Sequence, residues 1–309
     1  MTFQQSVMPF ISVILPNYNH VKFLSARIES ILNQTFTDFE LIILDDCSVD
    51  ESKMIIEDYR NCPQVVDVIY NAQNSGSTFK QWKKGIDSAV GEFIWIAESD
   101  DFSHPNFLET LVDAILRYPQ TVLAYCRSEI INNEGKRLGL HKWMDALDEA
   151  RWTASFVNCG NNEIENYLRY RNTIPNASAV VFKNFPGMAE WINTDLKFAG
   201  DWDFWTSILR KGNIYYSSEA LNFFRKHQHT TRQQKSFDIE YKRIEEYFRV
   251  INTDFTLNLK RMPKYDWIID EWLGRKSSFG KSLKYYFPPL PWYMLIRFYR
   301  KILRRFILD

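Results

Sequence analysis

The chain has few cysteines, and they lie far apart in the sequence. Its 309 residues include four of them, Cys47, Cys62, Cys126 and Cys159, and no two form a C-x-x-C pair. Disulfide-rich domains need many cysteines, and structural zinc sites need closely spaced ligands, so we expect neither here. This cysteine usage fits a reducing compartment and favours the cytoplasm.

Net charge and long apolar runs are also absent. Lys and Arg number 38, as do Asp and Glu, so global charge gives no reason to expect a nucleic-acid partner. No run of about 18 apolar residues occurs, so no membrane-spanning helix is expected. The first residues lack a basic start followed by an apolar stretch, so we expect no secretory signal. We therefore expect a soluble cytoplasmic protein, or one at the inner face of the cell membrane.

Strand and helix signals alternate in the first part of the chain. Apolar, β-branched runs predict strands at residues 10–15, 39–44, 65–70, 93–97 and 121–125. Helix-length stretches lie between them, at residues 21–33, 51–60, 78–90 and 105–118. Strands that alternate with helices predict βαβ units, and hence an α/β fold with a mostly parallel sheet flanked by helices.

An acidic cluster follows the fourth predicted strand. Glu98, Asp100 and Asp101 lie within one tetrapeptide, at the strand end where open α/β sheets bind their ligands. Close carboxylates repel one another, and a divalent ion that carries phosphate oxygens would hold them together. An acidic turn that caps a helix is the alternative, and the tetrapeptide alone does not decide between the two. The role of Glu98 stays unassigned.

Polar turns also follow the first two predicted strands. Asp45 and Asp46 end the second strand, and Pro16, Tyr18 and Asn19 end the first. Taken alone, the acidic pair could simply start a helix. Because parallel strands have their carboxyl ends on one side, however, all three turns should converge. Their convergence favours a site for a nucleotide whose diphosphate lies over a metal.

At this point the chain resembles family 2 glycosyltransferases of the GT-A fold, from about residue 11 to residue 227. The order of several motifs carries the resemblance: ISVILPNYN from residue 11, FELIILDDCSVD from 39, NSG from 74, GEFIWIAESDD from 91, GDWDFW from 200 and FRKH from 224. It implies an inverting transferase that moves a sugar from a nucleotide-sugar donor, with UDP the expected carrier, to a glycan or lipid-linked acceptor. It also implies Mn²⁺ or Mg²⁺ as cofactor and a role in bacterial surface-polysaccharide assembly.

Two other classes of protein compete with this resemblance. A catalytically inactive nucleotide-binding or scaffold protein of the same fold is the alternative, although all the expected carboxylates are present. A dinucleotide-dependent oxidoreductase is excluded because no G-x-G-x-x-G follows the first strand.

The resemblance implies a nucleotide site built from several loops. Its positions in this chain are Pro16, Tyr18, Asn19, Asp46, Asn74, Asp100 and Arg225. Among them, Asp46 matches the residue that bonds the pyrimidine N3–H, and Asp100 the one that faces the ribose. Lys80 or Lys83 could contact phosphate by charge, and a solvated basic helix face is the alternative for both.

The expected metal ligands and general base rest on the same resemblance. Asp101 and His227 match metal-binding positions, and His229 competes with the second of them. Asp201 matches the general base, with Asp203 as the alternative. A carboxylate that takes the proton of a sugar hydroxyl suits single displacement with inversion.

The domain prediction divides the chain near residue 232. Residues 1–232 form the glycosyltransferase domain, with a nucleotide-binding half at about 8–128 and an acceptor half at about 129–232, and residues 233–309 form a helical extension. Its last stretch, 291–309, interleaves aromatic and apolar residues with Arg and Lys, the pattern of an interfacial helix. Contact with a membrane surface and packing against the protein's own domain both remain open.

Overall fold

The computed structural model describes residues 8–227, 236–254, 263–274 and 286–308. Its strands are β1 Ile11–Asn17, β2 Phe39–Asp45, β3 Val65–Tyr70, β4 Phe93–Ile96, β5 Phe102–Ser103, β6 Thr121–Ile131, β7 Arg137–Leu140, β8 Phe156–Cys159, β9 Val180–Lys183 and β10 Asn213–Arg225. Its α-helices are α1 Val21–Leu32, α2 Ser52–Tyr59, α3 Thr78–Ser88, α4 Phe107–Arg117, α5 Gly160–Glu163, α6 Gly200–Leu209, α7 Phe237–Asp254, α8 Asp266–Gly274 and α9 Trp292–Leu308.

All ten strands belong to one sheet. Its order is β3-β2-β1-β4-β9-β6-β10-β5, with β7 beside β6 and β8 beside β10. The first four strands are parallel, and β6 runs parallel to β10, while β9 is antiparallel to both of its neighbours. The predicted α/β class is therefore confirmed, with the parallel part forming the half that the sequence assigned to the nucleotide.

Helices cover both faces of this sheet, so each central strand contributes to two hydrophobic cores. Val13 and Leu15 of β1 pack with α1 and α4, whereas Ile14 between them packs with α3 and α6. This alternation explains why the strands are apolar along their whole length, since neither face meets water.

The first five predicted strands and first four predicted helices are all present, with ends shifted by a few residues. Strand β6 is longer than predicted because it continues to Ile131, and the later strand β10 spans 13 residues. Strand β10 is long because it pairs with β6, β8 and β5 along its length, and the sequence gives no local signal for such distant partners.

The three C-terminal helices share the core on one face of the sheet. Met294 and Phe298 of α9 are buried, and Arg297 binds Asp266 of α8 through two hydrogen bonds of 2.7 Å. One face of α9 thus packs against its own protein, which was one of the two alternatives. No helix in the described ranges is long and apolar enough to cross a membrane. The predicted boundary at residue 232 lies outside the described residues and stays a prediction.

A buried arginine lies beneath the acidic loop, residues 98–101. Arg27 of α1 is fully buried, its Nη1 donates to Ser103 Oγ at 2.8 Å, and its guanidinium lies 4.9 Å from the centre of the Trp95 ring. Burial lowers the pKa of Arg27 to about 10, against the attraction of the three acidic side chains. The fold therefore supplies a cation of its own to the cluster for which the sequence indicated only a bound ion.

Replacement of this arginine should destabilise the fold strongly. In Arg27→Met, the buried carboxylates lose their internal counter-charge, and we expect the free energy of unfolding to fall by about 3–5 kcal/mol. Urea unfolding followed by circular dichroism measures the change. Arg60→Met is the matched control, because Arg60 and Glu57 form an exposed ion pair at the end of α2 whose loss should change stability little. Equal effects in the two variants would contradict the role of Arg27.

Candidate active site

The carboxyl ends of β1, β2 and β4 meet at one edge of the sheet. Asn17 at the end of β1 pairs with Asp45 at the end of β2, and the N–H of Asp46 donates to the carbonyl of Asn17. On the other side of β1, the N–H of Ala97 donates to a carbonyl of that strand, and the acidic loop follows directly. The three turns that were expected to converge therefore lie side by side.

On the β2 side, the carboxylate of Asp46 accepts hydrogen bonds from the segment between β3 and α3, residues 71–77, which we call the Asp46 loop. Its Oδ1 accepts bonds from Asn71 Nδ2 at 2.6 Å, the backbone N of Ser75 at 2.9 Å and Gln81 Nε2 at 3.0 Å. Its Oδ2 accepts from Ser75 Oγ at 2.8 Å. Three of these donors contact Oδ1 and one contacts Oδ2, so Oδ2 is the oxygen better able to accept a further N–H. The surrounding donors hold the carboxylate in one orientation, which recognition of a nucleobase edge requires.

Asn74 lies within the Asp46 loop, and Lys80 lies beside it. Asn74 Nδ2 donates to the carbonyl of Asp46 at 3.1 Å, so its side chain shapes the loop. Lys80 is exposed at the start of α3, and its Nζ reaches a carbonyl of the same loop. Lys83 instead forms an ion pair of 2.7 Å with Glu190. Of the two lysines, Lys80 is therefore the one beside the Asp46 loop.

The loop after β1 is held by a network of short polar contacts. The N–H of Asn19 donates to Ser48 Oγ at 2.9 Å, and Ser48 Oγ in turn donates to Asp45 Oδ1 at 2.6 Å. Pro16 is buried within β1, whereas Tyr18 is 44% exposed. Asp45 and Asn19 thus fix the loop, and the ring of Tyr18 is its most accessible part.

Two histidines and one carboxylate meet on the other side of β1. His227 Nε2 lies 2.9 Å from Asp100 Oδ2, and His20 Nδ1 shares a hydrogen bond of 2.8 Å with Ser99 Oγ. The rings of His20 and His227 stand edge to face, with centroids 5.5 Å apart. One ligand atom each of His20, Asp100 and His227 lies within 4.8 Å of the other two.

Asp101 is placed differently from Asp100. It is buried, its Oδ1 accepts from the backbone N of Arg225 at 2.9 Å, and its Oδ2 accepts from Asn176 Nδ2 at 3.0 Å. The resemblance implied that Asp101 binds the metal and Asp100 faces the ribose. In the structure Asp100 lies beside His227, whereas the two oxygens of Asp101 accept hydrogen bonds from β10 and from the turn before β9.

Arg225 contacts two backbone carbonyls and an aromatic ring of the protein. Its Nε donates to the carbonyl of Asp100 at 2.8 Å and its Nη1 to the carbonyl of Asn132 at 2.8 Å, and its guanidinium lies over the ring of Phe23 at 4.6 Å. The resemblance implied a place for this residue in the nucleotide site, near the diphosphate or the metal. In the structure it joins the acidic loop to the β6–β7 connection.

The three acids of the loop differ in how readily they ionise. Burial and the charge of Asp100 raise the pKa of Glu98 to about 8, and Trp82 Nε1 donates to Glu98 Oε1 at 2.8 Å. Burial and the same charge raise the pKa of Asp101 to about 6. Burial opposes ionisation of Asp100 too, but the hydrogen bond from His227 and the nearby imidazoles bring its pKa below the usual value. Asp100 is thus the most readily charged of the three.

Asp201 lies in the first turn of α6. Its Oδ2 accepts from Asn172 Nδ2 at 3.0 Å, and its Oδ1 accepts from the backbone N of Trp202 at 2.8 Å. Asp203 is two residues further on, and because successive helical residues are rotated by about 100°, the two carboxylates leave the helix on nearly opposite sides. The two carboxylates therefore cannot both reach the same bound hydroxyl group.

Close packing sets the start of α6 against α3. A Cβ on Gly200 would lie 2.7 Å from the ring of Phe79, so glycine permits this approach. Phe79 lies in the first turn of α3, which follows the loop whose groups donate to Asp46, and Asp201 directly follows Gly200. The helix that carries the expected base is thereby fixed to the helix that follows the expected nucleotide loop.

The carboxylate and the two imidazoles form a donor set that fits a divalent cation. Magnesium prefers oxygen ligands alone, whereas imidazole nitrogens suit transition metals, so the mixed set of His20, Asp100 and His227 fits Mn²⁺ better than Mg²⁺. Sequence reasoning missed His20, although its position directly after the β1 loop was an available signal. The predicted competitor His229 lies outside the described residues.

Comparison with known proteins gives a consistent result. The family model for glycosyl transferase family 2 matches residues 12–194. An uncharacterized glycosyltransferase of Rickettsia typhi is 25% identical over 229 residues, which are 74% of this chain and 67% of that protein. TarS of Staphylococcus aureus, a poly(ribitol-phosphate) β-N-acetylglucosaminyltransferase, is 38% identical over 105 residues, 33% of this chain and only 18% of TarS.

Two solved structures are similar in fold. TarS residues 1–349 in complex with UDP-GlcNAc match 91% of this chain and 76% of that one, with a TM-score of 0.61 and 22% identity. The mannosyltransferase PcManGT of Pyrobaculum calidifontis, in complex with GDP-Man and Mn²⁺, matches 95% of this chain and 85% of that one, with a TM-score of 0.55 and 11% identity. These likenesses support the GT-A fold. Because the family match covers more than half of the sequence, the chain belongs to glycosyl transferase family 2 and is a glycosyltransferase.

Proposed function

We propose that the chain is an inverting glycosyltransferase that moves a sugar from a UDP-linked donor to a glycan or lipid-linked acceptor in the cytoplasm. The observation that carries this proposal is that the oriented carboxylate of Asp46 and the Asp100–His227 pair lie at one sheet edge. Asp201 is in the first turn of α6, which packs closely on α3 where Gly200 meets Phe79. TarS binds UDP-GlcNAc and carries a name that specifies a poly(ribitol-phosphate) acceptor, which supports a UDP-linked donor and a glycan-type acceptor here.

The donor's base would bind at Asp46. Uracil presents an N3–H donor, which Asp46 Oδ2 can accept, while cytosine presents an acceptor at the same position and would be repelled. The exposed ring of Tyr18, on the neighbouring loop, offers a surface against which a base can stack. Lys80, beside the same loop, adds a positive charge for the phosphates.

His20, Asp100 and His227 would hold the metal ion. The chemistry that a bound Mn²⁺ supplies at such a site is neutralisation of the diphosphate as it leaves. Asp101 and Arg225 act on the same site indirectly, because their hydrogen bonds hold the acidic loop against β10. The presence of Mn²⁺ in the PcManGT complex supports this choice of cofactor.

Asp201 would act as the general base. Asn172 and the backbone N–H of Trp202 hold its two oxygens in one orientation, and the carboxylate would take the proton of an acceptor hydroxyl as the new C–O bond forms. Attack by the deprotonated oxygen from the side opposite the leaving diphosphate inverts the anomeric carbon. Asn172 orients the base and is therefore a positioning residue.

The base is tested with Asp201→Asn. The amide keeps an oxygen for the N–H of Trp202 but cannot take a proton, so we expect kcat for hydrolysis of UDP-GlcNAc to UDP to fall about 100-fold or more. The affinity for UDP should not change, and isothermal titration measures it. Asp203→Asn is the matched control and should remain active. Loss of activity only in the control would assign the base to Asp203, and hydrolysis or transfer by neither the wild type nor any variant would favour the scaffold alternative.

The metal site is tested by electron paramagnetic resonance of Mn²⁺ titrated into the protein without nucleotide. Asp100→Asn removes a charged ligand and should weaken Mn²⁺ binding more than about tenfold, while Tm stays close to the wild-type value. Asp101→Asn should lower Tm, because it loosens the contacts with Arg225 and Asn176. Loss of Mn²⁺ binding in the Asp101 variant with unchanged Tm would restore the assignment that the resemblance implied.

The nucleobase is tested by comparing UDP, CDP and GDP, each with Mn²⁺, in thermal-shift titrations of the wild-type chain. These nucleotides share the diphosphate, so differences report the base. We expect UDP to bind about tenfold or more tightly than CDP, because CDP leaves Asp46 Oδ2 without a donor. Stronger stabilisation by GDP than by UDP would replace uridine with guanosine in the proposal.

A further inference from the structure

One side of α9 is exposed and carries apolar and cationic side chains together. Trp292, Ile296 and Leu303 are 70%, 50% and 60% exposed, which is unusual for large apolar residues on a packed helix. Their spacing of four and seven residues puts them on one stripe of the helix, with exposed polar neighbours. We call this stripe the exposed α9 face; its residues are Trp292, Ile296, Tyr299, Arg300, Leu303 and Arg304.

The opposite side of α9 packs against the protein's own core and against α8. Met294 and Phe298 are buried there, and Arg297 and Lys301 form ion pairs with Asp266 and Asp270 of α8. The inward cations are thus neutralised by the protein itself. The exposed α9 face has no comparable task in the described structure, so its apolar residues point to an external partner.

The charge of this part of the chain indicates the chemistry of that partner. The whole sequence is balanced, but residues 275–308 contain nine Lys and Arg residues and no Asp or Glu. A symmetric contact between two copies through the exposed α9 face would bring Arg300 and Arg304 of one copy close to the same cations of the other. An anionic surface complements them, and the apolar stripe requires that this surface also accept apolar side chains.

We propose that the exposed α9 face binds the surface of a bilayer that contains anionic phospholipid. The helix lies flat, with Trp292, Ile296 and Leu303 at the boundary between headgroups and acyl chains and with Arg300 and Arg304 against lipid phosphates. It does not cross the membrane, since no described helix is suited to do so. The inference goes beyond the proposed function, and vesicle binding requires neither nucleotide nor acceptor.

The proposal is tested by flotation of the full chain with vesicles. One set is phosphatidylcholine alone, and in the other about a third of the lipid is phosphatidylglycerol. We expect the wild type to float with the anionic vesicles, to float poorly with the neutral ones, and to be released by high salt. Equal flotation with both sets, or with neither, would overturn the proposal.

Paired variants locate the binding surface. Arg300→Glu combined with Arg304→Glu should weaken binding to anionic vesicles about 30-fold or more, because two attractions are replaced by repulsions. The matched control, Arg117→Glu with Lys136→Glu, makes the same charge change at exposed positions outside α9 and should bind as the wild type does. An equal loss in the control would mean that only overall charge matters.

The apolar contribution needs its own pair. Trp292→Ser with Leu303→Ser should reduce vesicle binding at least tenfold. The control, Val66→Ser with Leu116→Ser, alters residues of similar exposure and should not reduce it. All four positions are exposed, and an unchanged Tm verifies folding.

Light scattering adds a separate outcome: a dimer of the wild type that is lost in the α9 variant, without vesicle binding, would make a second copy the partner and overturn the proposal. Unchanged hydrolysis of UDP-GlcNAc by the variants keeps this test separate from that of the active site.

Discussion

The buried guanidinium of Arg27 is the constraint on which the acidic loop depends. Three carboxyl groups within four residues repel one another, and burial makes their charges still less favourable. The positive charge of Arg27, whose guanidinium lies over the Trp95 ring, offsets this repulsion. The backbone N–H of Arg225 also stabilises the loop by donating a hydrogen bond to Asp101. With Asp101 held in this way, Asp100 is left to meet His227 at the surface of the sheet edge.

Much of this arrangement could be predicted from local sequence. The alternation of strand and helix signals predicts the parallel half of the sheet, and parallel topology by itself brings Asp46 and Asp100 to one edge. The motif order also indicated the family. The parallel half of the sheet and its convergent turns depend on patterns within about 30 residues, which is the length of a βαβ unit.

Other features depend on packing between distant segments, and no local pattern contains them. Arg27 sits in a helix whose composition also fits an arginine at the surface, and only the sheet above it makes the residue buried. Gln81 and Asn71 reach Asp46 from two separate elements. The choice between Asp100 and Asp101 is of the same kind, because adjacent side chains point in different directions and the partner strand β10 arrives more than 110 residues later.

The ion pairs between α9 and α8 have a geometric consequence for an acceptor carried by a membrane. Trp267 of α8 packs edge to face on Trp143, whose Nε1 donates to the carbonyl of Asn172, the residue that orients Asp201. A continuous series of contacts therefore joins α9 to the proposed base. If the helix rests on a bilayer, these contacts set the height of the reaction centre above the lipid, so the enzyme would act on a sugar unit at that distance from the membrane.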